Sequence, residues 1–259
     1  MKANILNLIL VVAFAVTTAS CKAQNAQSNR NVEETVVTFL VDCTDTVLLN
    51  DIEADMRADL LTFFTNLNVA KVVAGEKLTV KVGVIDDSDR LTLKSASVTP
   101  VGKKASNREK NASSKLDPLF LLVSQQLKTM HQQSQREMKS SPIIDVMLKA
   151  FREMSPESSR EVLCICSDGA ELSLSANFYK NIPTTDEAVA KVVAKLDATL
   201  LEEAKAIIED TDPQVVFVLK SNPKVPASQL KLFYSKLLAQ FGVNSVSFID
   251  NLSNNPKLN

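Results

Sequence analysis

Histidine is almost missing from this chain: His131 is the only one in 259 residues, and tryptophan is absent. A single imidazole cannot build a histidine-rich metal site, and no Ser-His-Asp or Cys-His arrangement has a second choice of base. His131 stands among glutamines on a polar helix face with no nucleophile signal beside it, and reads as a surface residue. Only five glycines occur, widely spaced, so neither a P-loop nor a dinucleotide fingerprint can be assembled. Charge of one sign is lacking too. With 29 basic and 30 acidic residues the formal net charge is -1, which gives no electrostatic footprint for a polyanion, and nucleic acid is not an expected partner. The four cysteines, Cys21, Cys43, Cys164 and Cys166, lack zinc-site spacing.

What is present is an ordinary globular composition, 45% hydrophobic and 23% charged, in a chain long enough for a sizeable core. The first residues stand apart. Lys2 opens a short positive segment, and the apolar run "ILNLILVVAFAV" is too short to serve well as a membrane span. Residues 1–20 therefore read as a signal peptide. "TTASC" after it resembles a bacterial lipoprotein signal, which implies lipidation of Cys21, export and anchoring to a membrane through that lipid; ordinary cleavage releasing a soluble protein is the alternative. Residues 21–34 are polar and suit a flexible tether. The folded domain is expected over residues 35–252, with a tail at 253–259. Cys43, Cys164 and Cys166 are expected as three buried thiols, a Cys43–Cys166 bridge being the other option in an exported chain.

Along the domain, strand and helix signals alternate. "TVVTFLV" (35–41), "KLTVKVGVI" (77–85), "RLTLKSASV" (90–98), "EVLCICS" (161–167), "QVVFVL" (214–219) and "VNSVSFI" (243–249) read as strands. Helices are expected at 51–67, capped by Asn50 or Asp51, and at 116–139. Further helices are expected at 143–154, with Ser141 and Pro142 at its start, at 185–209 and at 227–241, capped by Gly242. This alternation predicts a three-layer α/β fold: a mostly parallel six-stranded sheet, one antiparallel edge strand, and helices on both faces. Right-handed crossovers then bring three separated clusters to the carboxyl edge: "DCTDT" (42–46), "SSP" (140–142) and "SDG" (167–169). "DDSD" (86–89) lies on that edge as well, either as a solvated hairpin turn or as support for a second cation. The basic stretch Lys103 to Lys115 faces the other edge and reads as a solvated loop.

Carboxylates and hydroxyls converging on one spot have the chemistry of a hard-cation site, since Mg²⁺ takes about six oxygen ligands. In this arrangement the chain resembles a von Willebrand factor type A domain from about Thr35 to Asp250. That family's adhesion site uses an Asp-x-Ser-x-Ser loop, a Thr from a second loop and an Asp from a third. The resemblance places Asp42, Thr44 and Thr46 in the first loop, Ser141 in the second and Asp168 in the third. It implies a Mg²⁺ (or Mn²⁺ or Ca²⁺) ion on these five residues, no catalysis, and a protein partner whose carboxylate completes the coordination sphere. Thr stands where the family has Ser twice, and Asp45 adds a carboxylate that the pattern does not require.

Two alternatives stay open. "FLVDCTDTVLL" resembles the haloacid dehalogenase phosphotransferases, which would make Asp42 a nucleophile, although the second Asp of that motif falls one place late at Asp45. The other is a von Willebrand A-like scaffold that binds partners without metal. The same residues could also do no more than cap the following helix.

Overall fold

The apolar run that precedes the first acidic cluster forms the central strand β1, Glu34–Asp42, buried along nearly its whole length. The computed structural model describes residues 33–44, 46–66, 77–88, 90–98, 112–133 and 140–254. The signal peptide, the tether up to residue 32, Cys21 and most of the tail lie outside these residues. After β1 the chain continues through α1 (Thr46–Asn66), β2 (Lys77–Ile85), β3 (Lys94–Val98), α2 (Ala112–Gln133) and α3 (Ile143–Arg152). It then forms β4 (Arg160–Ser167), α4 (Asp186–Val193), α5 (Ala198–Thr211), β5 (Gln214–Leu219), α6 (Ala227–Phe241) and β6 (Ser245–Ile249). A short 3-10 turn at Leu252–Asn254 follows.

The architecture is α/β: one six-stranded sheet in the order β3-β2-β1-β4-β5-β6, flanked by helices. Every neighbouring pair is parallel except β2 with β3, so β3 is the antiparallel edge strand. Alternation of side chains along the buried strands feeds two cores. Leu40, Leu163, Ile165 and Phe217 face α3, α4, α5 and α6. Phe39, Val41, Cys164, Cys166 and Val218 face α1 and α2. The chain winds from β1 outward to β2 and then returns past β1 to β4. The strand order reverses between β1 and β4, where an open parallel sheet leaves a crevice at its carboxyl edge.

Several local expectations need correction. The first helix begins at Thr46, ahead of Asn50 and Asp51, because Leu49 already belongs to the apolar stripe that continues through Ile52, Met56 and Leu60. Asn50 and Asp51 lie inside it and do not cap it. The helix expected over 185–209 is two helices. Asp197 starts the second by accepting a hydrogen bond from Leu200 N at 2.8 Å. Strand β3 is shorter than expected at its start, beginning at Lys94. Helix α2 begins earlier than expected, at Ala112.

His131 is half-buried, not a plain surface residue: its Nε2 contacts the carboxylate of Glu53 on α1. The three described cysteines are free and buried, so no Cys43–Cys166 bridge forms.

Candidate functional site

Asp42 ends β1 as a wholly buried carboxylate, and four donors meet its two oxygens. Thr44 contributes two, its N–H to Oδ1 at 3.0 Å and its Oγ1 to the same oxygen at 2.6 Å. Ser141 Oγ donates to Oδ2 at 3.2 Å, and Ser167 Oγ donates to Oδ2 at 2.7 Å. Three chain segments are thereby tied to one side chain. Burial pushes the Asp42 carboxyl above its usual range, and the negative charge of Asp168 pushes the same way; the bonds from Thr44 and Ser167 pull it back.

Ser141 reaches this position by a route that its sequence did not show. It does not cap α3, whose N-cap position is Pro142 with no side-chain cap bond. Its backbone forms a two-way bridge with Leu172, Ser141 N to Leu172 O at 2.9 Å and Leu172 N to Ser141 O at 3.1 Å. The vacant capping role falls to Glu171, a fully buried residue whose Oε2 accepts from Ile144 N at 2.9 Å. Burial drives the Glu171 carboxyl up to about 8, with Asp145 adding to the effect, while hydrogen bonds, including that from Ile144, act against it. Its other oxygen, Oε1, has no hydrogen-bond partner.

The third loop is held as firmly. Gly169 adopts φ +75° after Asp168, and a Cβ there would stand 2.9 Å from Leu219 Cδ2. Gly169 N donates to Ser167 Oγ at 2.9 Å, and Tyr234 OH donates to Gly169 O at 3.1 Å. Asp168 accepts from Ala170 N through Oδ1 at 2.8 Å and from Asn222 Nδ2 through Oδ2 at 2.6 Å. Asn222 follows β5, so a fourth loop joins the site.

The structure thus brings together Asp42, Thr44 and Ser141 by direct bonds, and Asp168 beside them. Thr44, Ser141 and Asp168 line one open cleft of about 380 Å³, with Asp51, Lys220 and Asn222 also on its walls. The backbone of Thr46 opens α1, but its side chain and Asp45 lie outside the described residues. Sequence reading placed Ser167 at this edge without giving it a role, and missed Glu171 and Asn222 as members. Ser167 had a signal: it is the last residue of β4, one step past the Val41–Cys166 pairing, level with Asp42. Within "DDSD", Ser88 N donates to Asp86 Oδ1 at 2.9 Å and Ser88 Oγ donates to Arg90 O at 3.1 Å; Asp89 lies outside the described residues.

The donor set suits a hard cation. Among the described residues no cluster of three or more His, Cys, Asp or Glu side chains could hold a metal, so any ion here takes much of its shell from hydroxyls and water. The hydroxyls of Thr44 and Ser141 spend their protons on Asp42, which leaves oxygen lone pairs as their remaining valence.

Fold and site together define a mostly parallel α/β domain with an oxygen-rich crevice at its switch point. No protein-family model matches the sequence, and no curated protein sequence matches it. Among solved structures the chain is similar to the human COPII-coat protein Sec24c, with a TM-score of 0.34 and 11% identity. The match covers 86% of this chain and 30% of that one. A likeness of this size carries neither a family nor a function.

Proposed function

We propose that the domain is a von Willebrand A-like binding module that uses a divalent cation at this crevice to capture a carboxylate of a protein partner. The observation that supports it is Asp42, buried and ringed by hydroxyls from two other segments besides its own. Thr44, Ser141 and Asp168 would hold the ion, with Asp42 behind the two hydroxyls and Thr46 joining from the start of α1. Bound there, the cation would supply the positive charge that an acidic group needs in a cleft already carrying Asp51 and Asp168. Asp42 orients the hydroxyls, and Asn222 fixes the rotamer of Asp168. The leader sequence supports an exported protein held to a membrane by lipid on Cys21. Among the described residues no helix is long and apolar enough to cross a membrane.

The phosphotransferase alternative asks Asp42 to attack a phosphoryl group. A carboxylate with no exposed surface and with both oxygens accepting hydrogen bonds is poorly placed for that, and Thr44 holds the position of the second acid.

Thermal melts with and without Mg²⁺, Mn²⁺ and Ca²⁺, beside a phosphatase assay on the same sample, test the reading. A ligand at a hundred times its Kd adds about 2.7 kcal/mol, which raises the melting temperature by roughly 5–10 °C for a domain of this size. Ser141→Ala should shrink that shift. No shift with any of the three ions, or turnover abolished by Asp42→Asn, overturns it.

A further inference from the structure

A second concavity, of about 240 Å³, lies between α1 and α2 and shares no lining residue with the crevice. Phe120, Val123, Ser124 and Leu127 form its α2 wall, and Met56 and Leu60 line it from α1. The four α2 residues fall at i, i+3, i+4 and i+7, the diamond into which a neighbouring helix inserts one side chain as a knob. Ser124 is the small member, and it leaves the diamond open. The other members are already fixed: Val123 and Leu127 are buried, and the Phe120 ring meets Phe64 edge-on with centroids 6.2 Å apart.

The same helix carries a knob on its outer face. Leu121 is 58% exposed, and Asp117, Leu121, Ser124 and Lys128 recur at the three- and four-residue spacing that keeps them on one stripe. Asp117 and Lys128 are both exposed, and neither side chain has an ion pair or hydrogen bond among the described residues.

This stripe is a palindrome in charge and in shape. Asp117 and Lys128 are equidistant from a point between Leu122 and Val123, and so are Leu121 and Ser124. A two-fold axis through that point turns a second copy of the helix antiparallel to the first. It sets Lys128 of each copy opposite Asp117 of the other, and Leu121 of each over Ser124 of the other. A parallel pair would set like charges together at both ends. Two-fold dimers need such a self-complementary patch.

We propose that the occupant of this groove is a second copy of the chain, docked through antiparallel α2 helices with Leu121 of each seated in the diamond of the other. One helix pair with exposed ion pairs belongs at the small end of specific interfaces, below about 1,200 Å². The dimer is therefore weak and reversible, and it uses none of the residues proposed to hold the cation.

Sedimentation velocity of the exported full chain in mild detergent, from about 1 to 300 µM, is the test. The parent should pass from monomer to dimer across this range. Leu121 belongs to neither core, so Leu121→Asp should leave the fold intact and weaken association about tenfold or more. Asp117→Lys and Lys128→Asp should each weaken it about threefold, and the double exchange should restore it. The double exchange is also the least favourable of the three for the dipole of α2, so recovery cannot come from a better helix. Chelator should change nothing. A parent that stays monomeric, a dimer indifferent to Leu121→Asp, a double exchange no tighter than the single ones, or a dimer that dissociates in chelator overturns the proposal.

Discussion

Ser167 Oγ stands 2.7 Å from Asp42 Oδ2, joining two residues 125 positions apart at the ends of adjacent parallel strands. The bond is buried, and it has a second half: the same hydroxyl oxygen accepts from Gly169 N. One side chain therefore links the floor of the crevice to the turn that carries Asp168. Ser167→Ala removes a donor from Asp42 and an acceptor from Gly169 in a space that water does not reach. Leaving buried polar groups short of partners costs about 1–3 kcal/mol each way, so urea denaturation should show a loss of at least that size with an unchanged m-value. A loss below about 0.5 kcal/mol would mean that the ring around Asp42 is not closed in solution.

Glu171 predicts a pH dependence. Its carboxyl is raised from the usual 4.5 to about 8 on folding, so the folded chain holds that proton more tightly than the unfolded chain. The advantage is complete below about 4.5 and is lost as pH rises to about 8, which makes stability fall across that window. Asp145 on α3, also raised by burial, acts in the same sense, while Glu34 and Glu53, both lowered by their partners, oppose it. Glu171→Gln keeps an acceptor for Ile144 N and removes the titration. Melting temperatures measured from pH 5 to 9 should fall less steeply in the variant than in the parent. Parallel curves would show that Glu171 does not titrate there.

The limits of the sequence are instructive at these same residues. Strands β2 and β5 could be bounded to the residue because apolar, β-branched runs end at turn signals, and Gly242 marked the end of α6 with its left-handed φ of +94°. The convergence of loops followed from parallel topology alone. Ser141 misled because a hydroxyl before a proline and an apolar run is a local cap signal. The acceptor that won, Asp42, lies 99 residues away. Glu171 carried no signal, since a lone glutamate after "SDGA" becomes a helix cap only once α3 is folded against it. Asp197 did carry one, but the apolar spacing running through Val192 and Leu196 concealed the break between α4 and α5.

Gly169→Ala should be among the most damaging single changes near the crevice. The residue sits at φ +75°, where side chains are strained, and the added Cβ would meet Leu219 Cδ2 at 2.9 Å and Leu230 Cδ1 at 3.2 Å. Strain and overpacking together should cost about 2–4 kcal/mol in a chemical melt. The neighbouring Asn222→Ala should cost far less stability, because Asn222 is only part-buried, yet it frees Asp168 Oδ2 and should change any metal-induced rise in melting temperature. Equal stability losses for the two variants would contradict the geometry of this turn.

Thiol chemistry separates the buried cysteines from Cys21. Burial pushes the Cys43 thiol up to about 12 and the Cys164 thiol well above its ordinary value, so neither forms a thiolate near neutral pH. Cys166 shares their apolar face and has almost no exposed surface. Iodoacetamide at pH 8 should therefore leave all three untouched in the native domain and label them only after unfolding. Protein purified from an exporting host carries a fourth label if Cys21 remains a free thiol. Lipidated protein should give no label before denaturant and three after it, counted by intact mass. Labelling of Cys43 in the native protein would show that β1 does not bury this strand end as described.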